Sequence, residues 1–190
     1  LFLSGISFWL SSCDGIDYRK FFKRFFILFS AALLVSLGTY QADPNTFVFF
    51  GILHLLLACT LLGILIYKIP SPLIILIGFS IIFFESYLIS DFYEPKYLAW
   101  TGLYSGSTGS VDFYGFIPWS SAYIFGLGFS KIIFRIQGKR KWINNFLFLN
   151  PRRNSILNKT FFWMGRNSLF IYLVHQPILI GIIYAYINIF

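Results

Sequence analysis

Charged side chains are scarce in this sequence. Asp, Glu, Lys and Arg make up 12% of its 190 residues, whereas hydrophobic residues make up 57% and aromatic residues 22%. A soluble domain usually carries about a quarter charged residues, so a water-soluble globular domain is excluded. The apolar windows 47–67 and 72–90 each have about the 20 residues that a membrane-spanning helix needs. The sequence therefore predicts an integral membrane protein that has the lipid bilayer as its surroundings.

Cysteine and methionine are rarer still. The two cysteines, Cys13 and Cys59, form no CxxC pair and show no ligand spacing, so we predict free thiols and no metal site. The only methionine is Met164, and residues 1–12 form an apolar run that is too short to span a membrane. We therefore expect a fragment that lacks at least one N-terminal helix. A secretory signal peptide is not expected, because no basic stretch precedes that run.

Apolar segments divide the chain into helices and loops. There are six of them, at 1–12, 21–39, 47–67, 72–90, 116–134 and 161–187. Their length and aliphatic character predict an all-α, polytopic transmembrane helix bundle. We expect the whole of 1–190 to form a single integral-membrane domain.

Basic and acidic loops alternate along the chain. Loops 13–24, 68–71 and 131–160 are basic, whereas 40–46 and 91–115 are acidic. The positive-inside rule puts the basic loops in the cytoplasm and the C-terminus outside, and we expect a bacterial cytoplasmic membrane. This topology explains most of the net charge of +8, and no nucleic-acid motif is present. The basic clusters could also attract anionic headgroups or a polyphosphorylated cofactor.

Three ionisable residues fall in the interior of the apolar segments, away from the basic residues at the segment ends. His54, Glu85 and His175 lie on different predicted helices, and the helical rise of about 1.5 Å per residue puts all three in the outer half of the membrane. Such groups are costly in lipid unless they face a cavity, so they predict a shared site. The alternative is that each one only hydrogen-bonds a neighbouring helix and stabilises packing.

The last apolar segment, "WMGRNSLFIYLVHQP" (163–177), is unusually polar. Ser168, Tyr172 and His175 are spaced i, i+4, i+7 and share one face. Pro177 is expected to kink the helix just after His175. Arg166 lies near the cytoplasmic end, where it can extend to headgroups or contact an anion.

Several blocks of the sequence resemble the heparan-alpha-glucosaminide N-acetyltransferase catalytic-domain family, in a form typical of its bacterial members. They are the "GILH" box (51–54), the "D-x-x-x-x-x-PW" box (112–119) and the "GR-x-S-L-x-I-Y-L-x-HQP" box (165–177), preceded by "LFLSGISFWLS" (1–11). The resemblance implies transfer of an acetyl group from cytoplasmic acetyl-CoA to an amine or hydroxyl of a sugar across the membrane. The histidine usually discussed for the family would lie upstream of residue 1.

The resemblance and the polar pattern together predict the site residues. As catalytic groups we predict His54, His175, Glu85 and Asp112, with one histidine as base, the other as hydrogen-bond donor and a carboxylate orienting them. A histidine could alternatively carry the acetyl group itself. The predicted cavity is lined by Ser168, Tyr172, Gln176 and Trp119. The predicted anchors for the phosphates of acetyl-CoA are Arg19, Lys20, Arg24, Lys139, Arg140, Arg152 and Arg166.

The expected partners are a glycan or amino-sugar acceptor and no nucleic acid, and a homo-oligomer stays open. Two rival functions also stay open from the residues. Intramembrane His and Glu suit a proton-coupled transporter, although no inverted repeat is seen. A non-catalytic membrane scaffold is favoured if the upstream segment has no histidine.

Overall fold

The computed structural model describes residues 1–89, 91–93, 95–106, 108–137 and 156–189. All regular structure in these ranges is helical, and no strand occurs among them, which confirms the predicted all-α class. The chain divides into two compact units, Leu1–Lys139 and Arg140–Phe190.

The helices of the first unit follow the predicted apolar segments. They are α1 (Phe2–Ser12), α2 (Tyr18–Ala42), α3 (Ile52–Ile66), α4 (Ser71–Leu88) and α5 (Phe116–Gln137), with short 3₁₀ helices at Asp91–Tyr93 and Lys96–Thr101. The backbone of Ile117 is non-helical (φ −98°, ψ 132°), so regular helix in α5 begins at Pro118.

Length and composition allow two of the described helices to cross a membrane, namely α2 and α4. The apolar helices α1 and α3 are shorter. About six spans are therefore not confirmed. The outward side chains of α2 and α4 are nonetheless apolar, since Leu34 is 63% exposed and Phe83 is 73% exposed. Exposed apolar surface of this extent is characteristic of contact with lipid or a protein partner.

Helix α5 lies at the centre of the first unit and packs against α1, α3 and α4. Leu55, Ile74, Tyr123 and Leu127 are almost fully buried between these helices. The backbones of α1 and α5 approach closely: a Cβ atom on Gly5 would lie 2.1 Å from the carbonyl oxygen of Tyr123. Small residues of this kind allow tight helix packing where the surroundings are apolar.

Helix α3 begins later than the sequence predicts. Its apolar window starts at residue 47, but the helix starts at Ile52. Residues 43–51, which we call the α2–α3 linker, are non-helical because their backbone groups bond to α2 and to residues 110–114 instead. His54 is consequently the third residue of its helix, about 3 Å from the start at 1.5 Å per residue. His54 is therefore closer to the start of its helix than the seven positions predicted from the apolar window.

The second unit contains two described helices, α6 (Ile156–Arg166) and α7 (Ser168–Ile189). They are separated by Asn167, whose side-chain amide donates a hydrogen bond to the carbonyl of Trp163 (2.8 Å). The backbone N–H of Asn167 donates to the same carbonyl (3.0 Å). Helix α7 runs through Pro177 as one helix, so the kink expected there stays a prediction, and the interruption that the structure shows lies at Asn167.

Candidate functional site

The α2–α3 linker lies between the end of α2 and the loop that precedes α5. On one side, Thr39 Oγ1 accepts the N–H of Val48 (3.0 Å) and Ser36 Oγ donates to the carbonyl of Val48 (2.6 Å). On the other side, Ser110 Oγ donates to the carbonyl of Phe47 (2.9 Å). Backbone hydrogen bonds Val111 N–H to Thr46 O and Tyr114 N–H to Phe50 O join the same two segments. These bonds fix the start of α3 and the histidine within its first turn.

His54 is hydrogen-bonded through both ring nitrogens. Its Nδ1 lies 3.3 Å from the backbone N of Gly51, and its Nε2 lies 3.2 Å from Ser36 Oγ. A backbone N–H can only donate, so Nδ1 is the acceptor. The single hydroxyl proton of Ser36 is given to Val48, so Nε2 carries a proton and donates to Ser36. His54 is therefore held as the neutral Nε2–H tautomer.

Asp112 caps the same helix from a distant part of the chain. Its carboxylate accepts the backbone N–H of Ile52, one of the donors that the first turn of a helix leaves without an intrahelical partner. The N-cap residue is Gly51, and a Cβ atom there would lie only 2.6 Å from Asp112 Oδ2. The carboxylate thus occupies the space in which an N-cap side chain would usually sit. This arrangement explains why a glycine precedes α3.

The carboxyl group of Asp112 has a perturbed environment. Burial raises the pKa of Asp112 above its ordinary value of 3.8, although the Ile52 N–H and the nearby His54 act in the opposite direction. Desolvation disfavours the charged form of a carboxyl group, whereas hydrogen bonds to that form favour it. A carboxylate with a raised pKa beside a neutral histidine is a common feature of acid–base sites.

Aromatic rings surround this cluster. The ring of Phe50 lies 5.9 Å from that of His54 and 6.0 Å from that of Trp100, and Trp100 contacts Phe116 edge to face. Trp119, which we predicted to line the cavity, is 48% exposed and lies edge to face on Tyr114. The ring of Phe50 thus packs against the imidazole of His54, which is partly buried.

His175 in the second unit has a different tautomer. Its Nδ1 forms a hydrogen bond with the carbonyl of Tyr172 one turn earlier in α7. A carbonyl can only accept, so Nδ1 carries the proton, and in the neutral imidazole Nε2 is then the nitrogen with the lone pair. His175 and Ser168 are exposed, whereas Tyr172 is partly buried. The side chain of Gln176 lies outside the described residues.

The remaining predicted residues are more scattered. Glu85 is partly buried in α4, and no hydrogen bond or ion pair joins it to another described residue. Arg19, Lys20 and Arg24 lie exposed in the first two turns of α2, where Lys20 is paired with Asp17 at 3.0 Å. Arg166 ends α6. Lys139, Arg140 and Arg152 lie outside the described residues.

The structure thus brings together His54 and Asp112, while the relation of His175 to them stays a prediction. Sequence reasoning missed Ser36 and Thr39, which hold the linker. Their signal was available, since two hydroxyl residues spaced i, i+3 end an apolar segment just before the linker.

In the described ranges all regular structure is helical, and histidine, hydroxyl and carboxylate groups meet at the start of α3 in the first unit. The chain belongs to the heparan-alpha-glucosaminide N-acetyltransferase, catalytic family, whose sequence model matches residues 1–177. Membership indicates an acetyltransferase-type protein of a membrane-associated family. Neither a curated protein nor a solved structure matches the chain significantly.

Proposed function

We propose that the protein is a multi-pass membrane acetyltransferase, which moves an acetyl group from cytoplasmic acetyl-CoA to an amine or hydroxyl of an extracytoplasmic sugar or glycan. The family match over residues 1–177 supports the reaction type. The alternating basic and acidic loops support the two-sided arrangement. The observation that carries the proposal furthest is the opposite tautomer of the two histidines.

Acyl transfer requires a hydrogen-bond donor that stabilises the developing oxyanion and a base that deprotonates the acceptor. His54 supplies the donor, because its proton is on Nε2 and an acyl oxygen can replace the Ser36 hydroxyl as its partner. His175 supplies the base, because its Nε2 has a free lone pair. The proposal thus gives His54 the role of hydrogen-bond donor and His175 the role of base.

Asp112 acts through position and charge. Its bond to the Ile52 N–H holds the first turn of α3, and its negative charge lies near His54. Ser36 keeps the imidazole oriented until the acyl oxygen arrives. Asp112 is therefore a positioning residue, and Glu85 stays a predicted catalytic group without a partner in the described ranges.

The basic end of the first unit fits the phosphates of acetyl-CoA. Arg19 and Arg24 begin α2, and Arg19 precedes Ser36 by about 17 residues, or about 25 Å along the helix. This approaches the thickness of a bilayer core, about 30 Å. The phosphate anchor and the His54 cluster therefore lie at opposite ends of one helix, as transfer across a membrane requires.

The test is acetyl transfer from radiolabelled acetyl-CoA to glucosamine by the full-length protein in vesicles. His54→Ala should lower kcat about 10²- to 10³-fold, as loss of one oxyanion donor does. His54→Gln, whose amide N–H replaces the Nε2–H, should retain more activity than His54→Ala. His175→Gln offers no base and should be as impaired as His175→Ala, about 10²- to 10⁴-fold.

Two results would overturn the proposal. Undiminished transfer in both His54→Ala and His175→Ala would exclude the acetyltransferase site. Equal impairment of His54→Gln and His54→Ala, with activity retained in His175→Gln, would exclude the assigned roles.

A further inference from the structure

Helix α6 has two chemically different faces. Lys159 and Arg166 are spaced i, i+7 and therefore lie on one face, with Trp163 beside them. Phe161 and Met164 lie on the opposite face and are 71% and 45% exposed. At 3.6 residues per turn, the two faces are about 180° apart.

The basic face carries a concave surface. A cavity of about 560 Å³ is lined by Lys159, Trp163, Arg166 and Asn167. Within the part of the chain that the structure describes, no carboxylate pairs with Lys159 or Arg166. Two unpaired cations beside an indole ring form a surface complementary to a phosphate group.

We propose that α6 lies in the membrane interface and binds the headgroup phosphate of an anionic phospholipid through Lys159, Trp163 and Arg166. Helices with a basic face and an aromatic or apolar face lie in the plane of the interface, with the apolar face in the acyl region. Tryptophan favours the headgroup level. The apolar segment α7 follows after Asn167 alone, so α6 ends where the chain enters the membrane on its basic, cytoplasmic side.

The exposed apolar face distinguishes a lipid from a soluble phosphate. A site for a free phosphate or a nucleotide requires only the cations and Trp163. A lipid also requires Phe161 and Met164, because they hold the helix at the depth of the headgroups. The occupant that satisfies both faces is a phospholipid of the cytoplasmic leaflet.

The test is native mass spectrometry of the full-length protein in detergent, with phosphatidylglycerol or phosphatidylcholine added at equal concentration. The wild type should retain phosphatidylglycerol preferentially. Lys159→Gln/Arg166→Gln should weaken this retention about 30-fold, since each basic residue near an anionic surface contributes about 1 kcal/mol. Phe161→Gln should also weaken it.

A charge-matched control is Lys68→Gln/Arg135→Gln, which removes two exposed cations of the first unit and should leave retention unchanged. An unchanged gel-filtration profile and unfolding temperature of the Lys159/Arg166 variant would show that it folds. Equal retention of the two lipids by the wild type, or equal loss in the control pair, would overturn the proposal. The proposal would also be overturned if a 10-fold excess of glycerol phosphate displaced the bound phosphatidylglycerol and Phe161→Gln had no effect on lipid retention. That pair of results would indicate a site for soluble phosphates.

Discussion

The two histidines of this chain lie in contrasting surroundings. His54 is in the first turn of α3, where hydrogen bonds join the linker and α3 to α2 and to the loop before α5. His175 is exposed on α7, and among the described residues it contacts only Tyr172 one turn earlier, through the carbonyl and the ring of that residue. Contacts between distant parts of the chain hold His54, whereas contacts with Tyr172 one turn earlier hold His175. A residue that orients an acyl group benefits from the first arrangement, whereas one that exchanges protons with an arriving acceptor benefits from the second.

The largest effect should come from placing a side chain at Gly51. Gly51→Val would put Cβ within 2.6 Å of Asp112 Oδ2 and 2.8 Å of Val48 Cγ1, so the cap on α3 must move. We expect a loss of about 1 to 3 kcal/mol of unfolding free energy, as in other overpacked sites, and loss of most acetyl transfer. Denaturant unfolding and the transfer assay measure both effects.

The matched control is Gly38→Val in α2. A Cβ atom at Gly38 has open space around it, so stability and transfer should stay close to wild type. Equal damage at both positions would contradict a specific role for the contact between Gly51 and Asp112.

Replacing a serine by alanine should have a smaller effect, and that effect should differ between the two regions. Ser36→Ala removes the partner of His54 Nε2 and the hydroxyl bonded to Val48. Loss of such hydrogen bonds costs about 1 kcal/mol each, and we expect about a tenfold drop in transfer from a misaligned imidazole. Ser168→Ala, on the exposed face of α7, should leave thermal stability unchanged. A destabilisation as large as that of Ser36→Ala would show that the second region is as constrained as the first.

The smallest effect should be on the pH dependence of folding stability. The pKa of Asp112 is raised in the folded protein by burial, so its contribution to stability is present below pH 3.8 and is lost as pH rises through the folded-state pKa. The pKa of Asp43 is lowered, first by the Asn45 N–H and then by Thr46, so its contribution is present above pH 3.8 and is lost as pH falls.

Asp112→Asn and Asp43→Asn should therefore change the slope of unfolding temperature against pH in opposite directions. Thermal scans of the detergent-solubilised protein across the acidic range measure this. Slopes that change in the same direction would contradict the buried position of Asp112.

The helices could be predicted from the sequence because apolar length alone determines them, and five predicted segments coincide with α1 to α5 to within a few residues. His54 and Asp112 could also be predicted, since an ionisable group in or beside an apolar segment is conspicuous. The late start of α3 could not, because it depends on hydrogen bonds between residues more than 60 positions apart, such as Ser110 and Phe47. The break at Asn167 was missed because proline is the more common helix breaker.

The roles of Ser36 and Gly51 were hidden for a related reason. A serine near a helix end usually bonds to its own backbone, and a glycine in an apolar segment usually indicates close helix packing. Only the fold shows that Ser36 faces His54 and that Gly51 leaves space for the carboxylate of Asp112.

The most direct test of the account is the tautomer of each histidine, measured by ¹⁵N NMR of the full-length protein with labelled histidine. Signals are assigned by their loss in His54→Gln and His175→Gln. We predict that His54 carries its proton on Nε2 with a bare Nδ1, and that His175 carries its proton on Nδ1 with a bare Nε2. The same tautomer at both positions, or the reverse pair, would contradict the assignment of His54 as donor and His175 as base.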